Sequence, residues 1–434
     1  MRKSLLLIVL LFFNFLLKAQ NNSQSTQRLK VFIDCKSWSC PFDFIRSEIK
    51  FVDFVNDRFA ADVFILLTSV TTGAGGQEYK IYFEGLEKYK SLTDTLIYIR
   101  TSVDTEDEDR RKMVQTLKLG LIPYLSKTSM APSIQISVPS AASDEKKEDI
   151  SKKDKWNSWV FNAGVNGNFS GSDNYTSSYT RMRFSGARVT EKLKLKFSTN
   201  YSNEKNKYIY TEYDTLGAIT YSDTTRSTIK RSSIDGSMTY SISDHWSTGI
   251  FANYYTSTYS NINKSISSKL ALEYSIYPYK EFNTKYIGFL YRIGPVFNDY
   301  TETTWRNKSK EWLFQQSLSF DVNFTQKWGS VSTSLYWSNY FFDWNWNSYG
   351  FYGNGEFRIV KGLTVNFFGG FSIIHDQVEL PKGNATQTEV LIRQRVLRNS
   401  FQYFTGIGLN YRFGSIYNNV VNPRLGEASG GFFF

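Results

Sequence analysis

From Trp156 to Phe413 the chain alternates apolar and polar residues with a period of two, segment after segment. In the last segment Phe401, Tyr403, Ile407, Leu409, Tyr411 and Phe413 point one way, while Gln402, Gly406, Gly408, Asn410 and Arg412 point the other. Near residue 270, Ile266, Leu270, Leu272, Tyr274 and Ile276 oppose Ser265, Ser267, Lys269, Glu273 and Ser275. Near residue 195, Leu193, Leu195, Phe197 and Tyr201 oppose Lys194, Lys196, Ser198 and Asn200. A period of two places the two sets on opposite faces of a strand. About twelve such segments follow one another, an even number of the kind that antiparallel membrane barrels use.

The connections give a second test. Those near 190–191, 243–244, 278–281, 325–327 and 360–362 are short. Between them lie 171–176, 203–225, 259–264, 297–310, 340–347 and 380–399, several of them long. Outer-membrane barrels have short periplasmic turns and longer outside loops. Proline gives a third test, because it cannot donate to a sheet ladder. Pro278 and Pro381 sit in connections and Pro295 at a strand end. A soluble β-sandwich also alternates, with one face as core. The long strands, the loop asymmetry and the 17% aromatic content favour a barrel with aromatic girdles.

The first 19 residues read as a secretory signal peptide. Arg2 and Lys3 precede an apolar run over 5–13, and Leu17-Lys18-Ala19 offers a small residue at the cut. That run is shorter than the roughly 20 residues of a spanning helix. No Cys follows the cut, so no lipid acceptor is present there. Cleavage removes Arg2, Lys3 and Lys18, three charges, so the formal net charge falls from +11 to +8. The mature chain has no other apolar run of spanning length, which leaves the closed barrel as its route across a membrane.

Residues 28–127 read as a small α/β domain in the order β-α-β-β-β-α. Residues 29–33 form a short strand. Pro41 suits a first helical turn, and Phe42, Ile45, Ile49, Val52 and Val55 recur at helical spacing. Strands follow at 61–70, 78–83 and 92–99, and a helix opens at Asp104 with acidic residues in its first turns. Gly73, Gly75 and Gly76 read as a hairpin turn, since no Lys-Ser/Thr follows them and the next element is a strand. This order of elements resembles the N-terminal domain of TolB and the related CsgG-type periplasmic modules. The resemblance covers about 100 residues, rests on topology, and implies a docking module for a periplasmic protein partner. Cys35 and Cys40 would meet an oxidising periplasm, where a local disulfide competes with free thiols and, less well supported, a metal site. Residues 128–155 read as a solvated linker with Pro132, Pro139 and a balanced charged run at 144–155. The barrel is expected over 156–414 and a periplasmic tail over 415–434.

Projecting the alternation inward gives Arg181, Arg183, Lys194, Lys196, Arg231, Lys269, Arg292, Arg358 and Arg412 as lumen cations, with Asp235, Glu273, Asp321 and Glu356 as lumen anions. These charges either pair and fill the lumen or line a narrow pore favouring anions; about twelve strands lies between filled and open barrels. Catalysis would need a His near a nucleophile or carboxylate. His245 falls in a turn and His375 follows the lipid-facing parity of Phe371 and Ile373, so no catalytic site, cofactor or metal is expected. The aromatics at 340–346 either stack on sugars of a surface ligand or form part of an interfacial belt. Residues 386–396 are expected to form a short helix. Gly408, Tyr411 and Phe413 resemble the terminal-strand signal read by the barrel-assembly machinery, although Gly406 replaces the usual polar residue and the chain continues to Phe434. The basic residues form no exposed patch, so nucleic-acid binding has no support. The expectation is an outer-membrane barrel in contact with lipid: a narrow or gated solute path, or else a membrane anchor for its periplasmic domain.

Overall fold

The computed structural model describes residues 28–35, 40–73, 75–136, 154, 156–383, 397–415, 417 and 419. The signal peptide, most of the linker, the helix expected at 386–396 and the tail beyond 419 lie outside the described residues.

The first domain is a five-stranded sheet in the order β2-β1-β3-β4-β5. Its strands are β1 (Leu29–Cys35), β2 (Val52–Phe54), β3 (Val63–Thr71), β4 (Gln77–Gly85) and β5 (Thr93–Arg100). β1 pairs in parallel with β2 and β3, and the other pairs are antiparallel. Leu29, Val31, Ile33, Val63, Ile65, Leu67, Ile81 and Phe83 are buried with Met113, Leu117 and Leu121 of helix α2 (Glu106–Leu125). α2 starts on a capping box. Thr105 Oγ1 accepts from the Glu108 N–H (3.3 Å), and Glu108 Oε2 accepts from the Thr105 N–H (2.8 Å). Four acidic residues at 106–109 then face the positive end of the helix dipole.

One expectation here is corrected. The helical pattern of 42–55 is split, with α1 covering only Phe42–Glu48. Val52 and Phe54 are buried in alternation, as an edge strand beside β1. Ile45 and Ile49 already fill the helical side of the core, and the β-branched Val52 fits a pleated edge.

Gly120 gives α2 its close approach to the sheet. A methyl group there would lie 2.1 Å from the Phe83 ring. Gly120→Ala gains about 1 kcal/mol of helix propensity. The overpacking costs roughly 1–3 kcal/mol. The expected net result is an earlier loss of helical signal in a thermal melt, and an unchanged or higher melting point would refute this packing.

The second part is one antiparallel sheet of twelve strands in chain order: β6 (Trp159–Ser172), β7 (Tyr175–Val189), β8 (Leu193–Tyr213), β9 (Ile219–Ser241), β10 (Trp246–Ser257), β11 (Ile262–Ser275), β12 (Lys285–Tyr300), β13 (Lys310–Gln326), β14 (Gly329–Tyr340), β15 (Asn347–Val360), β16 (Leu363–Ile374) and β17 (Phe401–Tyr411). The number and the meander agree with the alternation. β6 and β17 are the two edges and are not paired with each other. Two expectations differ: Pro295 lies inside β12 (Lys285–Tyr300), opposite Phe314, rather than at a strand end, and one long connection is mostly strand. Residues 203–225 are mostly strand: β8 (Leu193–Tyr213) and β9 (Ile219–Ser241) form a hairpin that outruns β7 and β10. Its sequence keeps alternating Thr and Tyr to the tip, which suits extended backbone.

The register fixes what each face carries. A single row reads Leu272, Tyr291, Leu318, Trp337, Tyr349, Ile373 and Phe401 across seven strands. This face is apolar and open: Leu270 is 61% and Ile407 78% exposed. A row of the opposite face reads Arg183, Asn200, Ser233, Tyr255, Ser265, Asn298 and Glu311. The sheet curves toward this polar face. Lys269 Nζ on β11 reaches Gln315 Oε1 on β13 (2.6 Å), and the Arg292 guanidinium on β12 lies 4.7 Å from the centroid of Phe251 on β10. Strands two apart lie about 9.5 Å from each other in a flat sheet, and these long side chains close that gap over the intervening strand.

Candidate functional site: a capped, charged concavity

Twelve of the thirteen ionisable residues projected inward share the concave face, because each pairs in register with another member of that face, while Arg412 follows the end of β17 and lines a cavity at the rim. They do not form one cluster. On β7–β10 a chain of polar contacts runs across four strands. Arg181 and Arg183 both donate to Asn200 Oδ1 (3.4 and 3.0 Å), and Asn200 donates to Ser233 Oγ (3.4 Å). Asp235 accepts from Ser233 (3.0 Å) and Asn253 (2.6 Å). Arg231 lies 3.9 Å from Glu204. Lys194 and Lys196 share this face, and Lys196 lines a cavity of about 550 Å³ with Asp235, Asn253 and Phe251. On β11–β13 the interior is fuller. Glu273 accepts from Tyr286 Oη (2.8 Å) and Asp321 from Ser319 (3.2 Å), while Arg292 stacks on Phe251.

The remaining predicted residues, Glu356, Arg358 and Arg412, stand at the rim of short turns, where the first domain sits. They line a second cavity, of about 490 Å³, together with Phe32, Asp34 and Arg58. The sheet of the first domain buries one face under α2 and turns the other to this rim. The row Phe32, Phe64, Glu84 crosses that second face. Arg358 donates to the buried Asp34 (2.7 Å) and its guanidinium lies over Phe32. Lys327, in the β13–β14 turn, pairs with Glu84. On the far side of the mouth the tip of the β3–β4 hairpin meets β7: a methyl group at Gly73 would lie 2.3 Å from Val189 Cβ. The same tip lines the 550 Å³ cavity through Thr71, Thr72, Gly73 and Gly75. The domain therefore spans the short-turn end of the concave face from β7 to β15.

The end of the chain holds it there. Tyr417 forms an antiparallel bridge with Val55. Asn419 accepts from the Phe54 N–H (2.5 Å) and donates to Asp53 (2.7 Å). The two described residues of the tail that reach the domain cover the free edge of β2. Cys35 and Cys40 form a disulfide beside the same interface, with Cα atoms 6.3 Å apart. Gly408 and Tyr411 lie on β17, and Phe413 follows its end, its ring stacked on Tyr411.

The opposite rim is also occupied. After β16 (Leu363–Ile374) the chain turns inward, and Val378 is buried against Val296, Leu313 and Tyr340 of the concave face. Pro381 bridges to Thr304, and Asn261 Nδ2 donates to the Glu379 carbonyl (2.8 Å). Burial pushes the Glu379 carboxyl up to about 7, with Asp376 adding to the rise and Arg306 opposing it. The stability this loop draws from a protonated Glu379 is complete below about 4.5, the ordinary value, and is lost as pH rises through about 7. Amide exchange of 376–380 is accordingly expected to quicken across that window, and Glu379→Gln to flatten the change. A flat profile in the unsubstituted protein would refute the assignment.

The histidines stand apart from these networks. His245 Nδ1 lies 2.8 Å from the Ser275 carbonyl. His375 lies on the outer side of the long-loop rim, whereas Asp376 turns inward and accepts from Ser338 (3.1 Å) and Ser348 (2.9 Å). Among the described residues no group of His, Cys, Asp and Glu could hold a metal.

Neither a family model nor a curated protein matches this chain. Its function has to be argued from the two faces of the sheet and from what closes its ends.

Asp34, Glu84, Lys327 and the inward loop were not singled out in the sequence. The one signal for Asp34 is an acid inside an otherwise apolar strand, Leu29–Cys35.

Proposed function

We propose that the chain is an outer-membrane β-barrel whose lumen is a narrow solute path gated by its own N-terminal domain. The observation that carries this reading is the domain seated across the mouth of a concave, cation-rich face. The apolar outer face supports the membrane setting, since exposed apolar surface of this extent marks contact with lipid or a partner. No helix of the described residues is long and apolar enough to cross a membrane. In lipid the free backbone groups of β6 and β17 need partners, and pairing these two edges would close the barrel. The signal peptide and the disulfide fit export, and the seated domain fits a periplasmic position. Docking of a periplasmic protein and insertion by the barrel-assembly machinery belong to the same proposal.

The test is single-channel conductance in planar bilayers, comparing the mature chain with one lacking residues 20–155. The shorter chain is expected to give steady anion-preferring steps, and the full chain rare brief ones. Equal conductance would remove the gate from the proposal. Silence from both would leave a membrane anchor that carries the α/β domain.

A further inference from the structure

At the long-loop rim lies a cavity of about 490 Å³, between outward positions such as Tyr349 and His375 and Trp346, which packs against the buried Val378 cluster. It takes no part in the charged concavity. Trp305 and Trp346 stack along it, with centroids 5.4 Å apart and planes 24° apart. Trp346 is pinned further by the Arg306 guanidinium, 4.8 Å from its centroid. Trp305 is 48% and Tyr349 39% exposed, so a fixed aromatic platform faces outward.

Polar groups converge beside that platform. Asn347 donates to the Trp344 carbonyl (2.6 Å), but its Oδ1 is buried with no hydrogen-bond partner among the described residues. Buried acceptors of this kind are uncommon and call for a donor. His375 lines the wall next to it, its N–H donating to the Asn347 carbonyl (2.9 Å). Arg398 lines the opposite side, and Gln377 fixes its neighbours by donating to the Leu397 carbonyl (3.3 Å) and accepting from the Asn399 N–H (2.8 Å). Among the described residues Arg398 has no ion pair or hydrogen bond, and no Asp or Glu of them lines the cavity.

We infer that this cavity binds a pyranose carrying a carboxylate or phosphate. The C–H face of such a ring packs on an indole, as apolar groups do on aromatic surfaces. The anionic substituent would meet Arg398, whose planar fork matches carboxylate and phosphate. A pocket lined by aromatics with a few converging polar groups has the general form of a ligand site. The absence of a lining carboxylate selects the anionic sugar over the neutral one. The sugar can come from a free oligosaccharide or from a glycolipid headgroup beside the outer face.

The experiment is calorimetric titration of the full mature chain in detergent micelles with a galacturonic acid oligomer and with a neutral galactose oligomer. Saturable binding of the acidic oligomer is expected, at least tenfold tighter than the neutral one. Arg398→Gln, at an exposed position, and Trp305→Ala are each expected to weaken it about tenfold. Absence of binding, equal binding of both oligomers, or binding insensitive to both variants would overturn the assignment. Competition by a glucuronate-headed glycolipid in nanodiscs then separates the sources. Displacement of the oligomer assigns the headgroup, and failure to displace assigns the free sugar. The conductance of Arg398→Gln is expected to be unchanged, so this site and the gated pore fail separately.

Discussion

The double variant Arg358→Glu, Lys327→Glu is expected to hold the full-length channel open. Both cations sit at the short-turn rim, and both partners belong to the first domain: Asp34, which is buried, and Glu84. Breaking a buried pair by removing one partner costs about 3–5 kcal/mol, because the other charge stays buried. Reversal adds repulsion to that cost. The cavity at the interface and the packing at Gly73 remain, so a shift of about 3 kcal/mol is a fair estimate, and 1.4 kcal/mol corresponds to a factor of ten. The closed-to-open ratio should fall roughly a hundredfold in single-channel records at fixed voltage. Adding Asp34→Lys to Arg358→Glu should recover part of the closed time, which a general loss of folding would not allow. An open probability that does not move in the double variant would mean that these pairs do not hold the gate.

The second large effect concerns selectivity. Arg181, Arg183, Lys194, Lys196 and Arg231 stand on the concave face near Asp235 and Glu204. Arg181 and Arg183 contact only the neutral Asn200 in this network, so their charge is not cancelled locally. Rings of like charge set the sign of the ion that a narrow path admits. In the chain lacking residues 20–155, Arg181→Glu with Arg183→Glu reverses the local balance. The reversal potential in a salt gradient is expected to change sign, from anion to cation preference. Screening weakens the effect above about 0.1 M salt, where the Debye length is about 10 Å. An unchanged reversal potential would place the conducting route elsewhere.

Much of this arrangement can be read from the sequence because strands impose a period of two. Leu270 against Lys269, and Leu409 against Asn410, each fix a face, and the ladder carries that parity from strand to strand. Twelve of the thirteen inward residues follow from that rule alone. Longer-range features escape it. Val52 and Phe54 fit a helix by spacing and a strand by pairing, and only the presence of β1 decides between them. Residues 203–225 look like a polar loop, yet β8 and β9 pair almost to their tip. Arg358 was legible as an inward cation, but its partner Asp34 lies 324 residues away, and no local pattern joins them. The sugar-type cavity is similar. The aromatics at 340–346 stand out, whereas Trp305 reaches the same place from the β12–β13 connection, and His375 and Arg398 from opposite ends of the β16–β17 connection.

The bridge between Val55 and Tyr417 has a consequence in time. The edge of β2 is covered by residues that follow the large sheet in the chain, with all twelve of its strands between the two partners. Contacts at this separation form late, because a long loop must close before they are rewarded. The first domain can complete its own core early, but it cannot be strapped down until the final strand has been made. A chain stalled before residue 417 would carry a folded but untied domain. The strap thus ties the seating of the first domain to completion of the twelve-stranded sheet, whose last strand stands just before it in the chain.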